Sequence, residues 1–234
     1  MSATATAAPR AEARDADDTR NAAADAPSTV AGLVHTMLTR SSPRFLGLMA
    51  LGFGLCRALL GGWSWVDAVV PAVLLAWWPF QEWLIHTYLL HFRPRKLGPI
   101  PIDFAQAKKH RRHHQRPWDF GEISIPVGTF VYVVPLFGAV AWFGQGAPAV
   151  LTGLTAFCAL ALHYEWCHFM SHSNYVPRTR LYKAVWKHHR LHHFKNETLW
   201  MGVSMRAGDI LLGTSPDPKQ AEKSSTCRTL GIEA

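Results

Sequence analysis

Four long apolar segments limit what this chain can fold into. They cover residues 45–66, 69–90, 123–143 and 147–162. A bilayer's hydrocarbon core of about 30 Å takes about 20 helical residues, and each segment supplies roughly that run. The first carries Arg57, which must pair or reach the surface, and the third carries no charged residue. The connections are unlike in charge. Residues 92–116 hold eight Lys or Arg and one acidic residue, and residues 178–195 hold six basic residues and no acidic one. Residues 61–65 and 144–146 hold neither Lys nor Arg. This positive-inside pattern predicts an all-α, integral membrane four-helix domain, multi-pass, with both termini cytoplasmic.

The ends of the chain read differently. Residues 1–44 contain no Phe, Trp or Tyr and are rich in Ala, Asp, Arg and Thr. That composition predicts a disordered N-terminal tail. Within it Val30, Leu33, Val34, Met37 and Leu38 fall at helical spacing, which suits a short interfacial helix at 29–40. The polar stretch 215–234 predicts a disordered C-terminal tail, leaving 45–214 as the membrane domain. The net charge of +8 does not point to nucleic acid, because the basic residues bracket apolar spans and interleave with histidines. The four cysteines form no C-x-x-C pair, and Cys56 and Cys158, in apolar runs, are expected to be buried.

Twelve of the thirteen histidines lie between His86 and His193. They form four groups: His86 and His91; His110, His113 and His114; His163, His168 and His172; His188, His189, His192 and His193. Neutral imidazole is the commonest protein ligand for transition metals. On the predicted topology all four groups fall on the cytoplasmic side, so one shared site is possible. His168 and His172, four apart, share a helix face. Adjacent His113 and His114, like His192 and His193, point apart, so each doublet suits two metals rather than one. His86 and His91, five apart, do not stack on an ideal helix and require the helix to end between them. His163 and His188 read as neighbours of ligands, and His35 as a solitary tail residue. Imidazole-rich, open sites suit iron and oxygen chemistry, and zinc also accepts this ligand type.

The order His86/His91, His110/His113/His114, His168/His172, His189/His192/His193 resembles the fatty acid hydroxylase/sterol desaturase superfamily of membrane di-metal oxygenases. The run His192-His193-Phe-Lys-Asn196, followed by Gly202-Val-Ser and Gly213-Thr214, resembles its fatty acid 2-hydroxylase branch. Trp200-Met201 and Gly208-Asp209 depart from that branch's pattern. The resemblance implies a cytosolic histidine-rich helical cap on the membrane helices. It also implies two iron ions held by the ten histidines, O2 as co-substrate and hydroxylation of a long-chain lipid, a fatty acid or fatty-acyl lipid. Electrons would come from a separate electron-transfer protein. Asn196 is a candidate beside the ligands, and Arg178, Arg180 and Lys183 are candidates for a lipid headgroup.

Two other classes fit parts of the sequence. A sterol or carotenoid hydroxylase, or a desaturase, would use the same ligands. A histidine-rich membrane metal transporter would place ionisable groups near the bilayer midplane, whereas here the histidines gather toward one face.

Overall fold

The computed structural model describes residues 21–232; the expected disorder of residues 1–20 lies outside them. Helix α1 (Val30–Leu38) starts at Thr29, whose hydroxyl accepts from the Gly32 amide at 3.1 Å. Leu33 and Met37, four apart, bury against Phe120, Ile123, Phe169 and Met170. Val30, Val34 and Leu38 stay exposed. The expected helix therefore forms, but docked on the protein, and the folded unit begins before residue 45.

Helix α2 spans Ser41–Leu60. Helix α3 (Val66–Leu84) runs on through a π-helical turn at Ile85–Leu90. Helix α4 is Ala105–Gln115, α5 Phe120–Ile123, α6 Val127–Gln145, α7 Ala147–Ser171, α8 Arg180–Phe194 and α9 Ala207–Leu212. Among the described residues, three helices are long and apolar enough to cross a membrane: Ser41–Leu60, Val66–Leu90 and Ala147–Ser171. The chain is mostly helical, as expected; among the described residues the exception is a short antiparallel hairpin of β1 (Arg95–Leu97) and β2 (Ile100–Ile102).

Helix α7 is central, touching α2, α3, α6 and α8. Leu46, Trp78, Phe130, Cys158 and Ala161 form the core between them. Leu48, Leu51, Leu55 and Leu59 of α2 remain 60–78% exposed, a leucine row that suits lipid rather than water. Cys158 is buried as expected, but Cys56 is exposed on α2. Arg57 is matched inside: its Nε and an Nη each meet Asp67 at 2.6 Å, a bidentate pair that removes the isolated-charge penalty. Thr152 also donates to Asp67.

The expected disorder of 215–234 is corrected for the described residues. Cys227 and Leu230 are buried. The Ser224 amide donates to the Lys195 carbonyl at 2.8 Å, and Arg228 donates to the Gln115 carbonyl at 2.8 Å. Both carbonyls belong to helix C-termini, which lack intrahelical partners. A polar strap without regular structure is thus held by helix-end acceptors that composition does not reveal.

Candidate metal centre

The histidine groups arrive on different elements. Helix α3 does not end between His86 and His91, as spacing had suggested. It widens, and the His91 amide donates to the His86 carbonyl at 3.1 Å. An i→i+5 repeat brings residues five apart onto one side, and the two rings come to 4.9 Å between centroids. Helices α4 and α8 each present a four-apart pair, His110/His114 and His189/His193, on one face. Of their other histidines, His113 and His192 point to the other side, while His188 joins neither group. His168 lies in the last turn of α7, and His172 caps its C-terminus.

The ten rings form two groups of five: His86, His91, His110, His114 and His192, and then His113, His168, His172, His189 and His193. In each group the ligand-type nitrogens lie within 4.8 Å of one another. Both doublets divide, with His114 and His192 in the first group and His113 and His193 in the second. Nε2 atoms face each other at 3.0 Å between His86 and His110, 3.1 Å between His110 and His114, and 3.2 Å between His114 and His192. In the second group the same atoms stand 3.0 Å apart for His113/His168 and 3.1 Å for His172/His189. Two imidazole nitrogens about 2.1 Å from one metal at right angles would stand about 3.0 Å apart.

The tautomers sharpen this. A carbonyl can only accept, so the nitrogen facing it carries the proton. His86 Nδ1 donates to the Met201 carbonyl at 2.5 Å, His114 Nδ1 to Cys227 at 2.8 Å, and His192 Nδ1 to Leu199 at 2.8 Å. In their neutral forms all three then aim bare Nε2 lone pairs inward. His114 and His192 face each other at 3.2 Å with no proton between them. Only a cation reconciles such a pair, and the carbonyl partners are the usual support for metal-bound histidine. Buried His91 Nε2 and both ring nitrogens of His193 have no hydrogen-bond partner. The residues present therefore fit two transition-metal ions.

Burial, and then neighbouring imidazoles, push His91, His110, His113, His172, His189, His192 and His193 well below the ordinary histidine value. Burial brings His114 down to about 3. These rings are neutral at physiological pH, the form that ligates metal.

A supporting layer surrounds the rings. His188 Nε2 meets Asp209 at 2.9 Å. Asp209 also accepts from the Met201 amide at 2.7 Å, the Gly202 amide at 2.6 Å and the Thr214 hydroxyl at 2.6 Å. Burial opposes its charge, but these donors hold its carboxyl below the usual carboxylate range. They fix the turn whose carbonyls at Leu199 and Met201 orient His192 and His86. Trp200 between them is buried with φ of 56°, a left-handed conformation that disfavours side chains. A Cβ at Gly202 would run into the Met205 carbonyl and lie 2.9 Å from Asp209 Oδ2, so glycine is required there. Glu82 accepts from the Val203, Ser204 and Met205 amides, the Ser204 hydroxyl and Trp78 Nε1.

Not every candidate residue reaches the rings. His163 is half-buried beside Cys167 and Tyr182, outside both groups. Asn196 shapes the turn after α8, where its Oδ1 accepts from Thr198 and its Nδ2 donates to the Glu222 carbonyl. Arg178, Arg180 and Lys183 are exposed and do not line the cavity described next. Asp209, Glu82 and Cys227 are the supports that sequence reasoning missed. Glu82 alone carried a signal, as an acidic residue inside an apolar span one turn before His86.

A cavity of about 320 Å³ opens onto both groups through His86, His110, His113 and His168. Trp78, Ile85, Leu89, Phe130, Phe157 and Ala161 give it apolar walls.

Spanning-length helices joined to ten clustered imidazoles define a membrane protein with histidine clusters able to hold metal. Residues 71–214 match the fatty acid hydroxylase family, and the chain belongs to that family. It is 26% identical over 151 residues to the dihydroceramide fatty acyl 2-hydroxylase FAH2 of Arabidopsis thaliana, covering 63% of this chain and 61% of that protein. It is 29% identical over 153 residues to the ceramide very long chain fatty acid hydroxylase SCS7 of Saccharomyces cerevisiae, covering 60% of this chain and 36% of that protein. The chain thus spans less than two thirds of either relative's length. The solved hydroxylase domain of Scs7p has the same fold, with a TM-score of 0.61 at 23% identity over 78% of this chain and 67% of that one.

Proposed function

We propose that this protein hydroxylates a long-chain fatty acid or fatty-acyl lipid at a di-iron centre held by His86, His91, His110, His114 and His192 on one side and His113, His168, His172, His189 and His193 on the other. The observation that carries this reading is the opening of both histidine groups onto one apolar cavity. Two iron ions bound there would supply activation of O2 for insertion into a C–H bond. One oxygen atom enters the substrate as hydroxyl and the other leaves as water, with two electrons and two protons from an external electron-transfer protein. The names of the relatives, acyl and ceramide hydroxylases, favour this substrate class over sterols and carotenoids.

The chain's own residues do the rest. Trp78, Phe130 and Phe157 exclude water and take the hydrocarbon chain. Met201, Leu199 and Cys227 carbonyls hold three rings in the ligating tautomer. His188 acts through Asp209 on the turn that bears two of those carbonyls. Helix α6 serves as a fourth span, and both termini and the histidine centre lie on the cytoplasmic side, a reading supported by the basic loops. The exposed Arg178, Arg180 and Lys183 contact lipid headgroups at that surface.

The test is lipid analysis of host cells producing the intact chain or its His113→Ala form. Hydroxylated acyl chains should accumulate only with the intact chain. Equal lipid profiles in the two would refute the reading.

A further inference from the structure

The cavity has a polar patch that the proposed chemistry has not yet used. Ser124 is 8% exposed and lines the cavity, and its hydroxyl has no hydrogen-bond partner. A buried hydroxyl left unpaired is costly, so such a group is kept where something else satisfies it. The segment that carries it is fixed on both sides. The Ile125 amide after it donates to Glu165 at 2.8 Å, and the Ile123 side chain before it is buried in the core against Leu33, Phe120 and Phe169. Lys109 lines the same cavity one residue before His110, anchored by a 2.8 Å bond from its Nζ to the Gly121 carbonyl. An ammonium has three donors, so this bond leaves capacity over. Gln106, one turn before His110, lines the same wall.

Ser124, Lys109 and Gln106 therefore offer donors beside the histidines. Of the two carboxylates in the lining, Glu122 is taken up by Arg112 at 2.9 Å and Glu82 by Trp78 and the 203–205 amides. Trp78, Ile85, Leu89, Phe130, Phe157 and Ala161 make the apolar walls. A ligand matching this arrangement has acceptor oxygens close to the carbon that meets the centre and a long apolar tail. We propose that Ser124 and Lys109 form the subsite for an acyl carbonyl or carboxylate oxygen, and that this anchor selects the carbon next to it for oxidation. The inference rests on the hydroxylase reading for its chemistry, but the subsite also makes a binding claim of its own.

Two measurements on the full chain test it, using Ser124→Ala, which removes an oxygen that holds nothing in the fold. The first is quenching of tryptophan fluorescence, with Trp78 in the cavity wall, by brominated stearate and by a brominated alkane of the same length. The wild-type chain should bind the acid about tenfold more tightly than Ser124→Ala does, and the alkane should not distinguish the two. The second is the position of hydroxyl groups in lipids from producing cells, by mass spectrometry, with free acids and N-acyl lipids scored separately. Wild type should favour the carbon beside the carbonyl in one of these pools. Ser124→Ala should spread product along the chain, with metal content unchanged. Equal stearate affinity together with an unchanged positional pattern would overturn the subsite. Hydroxyl-free lipids from wild-type cells would overturn the hydroxylase reading, while the quenching difference would still decide the subsite.

Discussion

The Cys227 carbonyl accepts a 2.8 Å hydrogen bond from Nδ1 of His114. A residue outside the family match, which ends at 214, thereby fixes a ring in the middle of the histidine centre. Thr226 ties the same strap to Glu197 at 2.5 Å, and Ser224 ties it to the end of α8.

Ending the chain after residue 215 should therefore weaken one metal position and spare the other. Among the described residues, no ring of the group containing His113 hydrogen-bonds to the strap. Loss of such an outer contact typically lowers metal affinity about 10- to 100-fold. Competition with a graded series of chelators should show one weakened and one unchanged position. Two unchanged positions would mean that the strap does not hold His114.

Asp209→Asn should loosen the turn at residues 200–202. It keeps the shape but loses the charge that draws in His188 and two backbone amides. A cost of about 1–3 kcal/mol follows from weakening this buried network. Denaturant unfolding in detergent measures it, and bound metal should fall with stability. A Gly202→Ala chain should fail in the same direction, because its methyl group meets the Met205 carbonyl.

Metal-free protein should lose stability on mild acidification. The rings of His91, His110, His113, His172, His189, His192 and His193 are held below the ordinary value by burial, and His114 sits at about 3 against 6.5 when free. Between those values the unfolded chain binds more protons than the folded one, so stability rises with pH there. It should be fully present above about pH 7 and decline steadily as pH falls below about 6.5. Thermal unfolding after chelation reads this slope directly, and a flat profile from neutral pH to about pH 5 would show that the rings are not buried as described.

Much of this centre was legible in the sequence because imidazole is scarce and its spacing carries geometry. The four-apart pairs and the split doublets at 113/114 and 192/193 follow from helical periodicity alone. His86 and His91 did not follow, because a π-helical turn has no local signature and its i→i+5 repeat replaced the expected helix end. The partners at Leu199, Met201 and Cys227 were invisible for a different reason: they act through backbone carbonyls, which every residue has. Helix α1 and the strap at 215–232 looked like tails because neither has aromatic residues. Leu33 and Met37 nonetheless complete a core, and Ser224 and Arg228 satisfy helix-end carbonyls.

The two-group arrangement is tested most directly by the metal content of the purified full-length protein after growth with ample iron. Elemental analysis against protein concentration should give about two transition-metal ions per chain, as two groups of five imidazoles require. A firm value of one or none would contradict it.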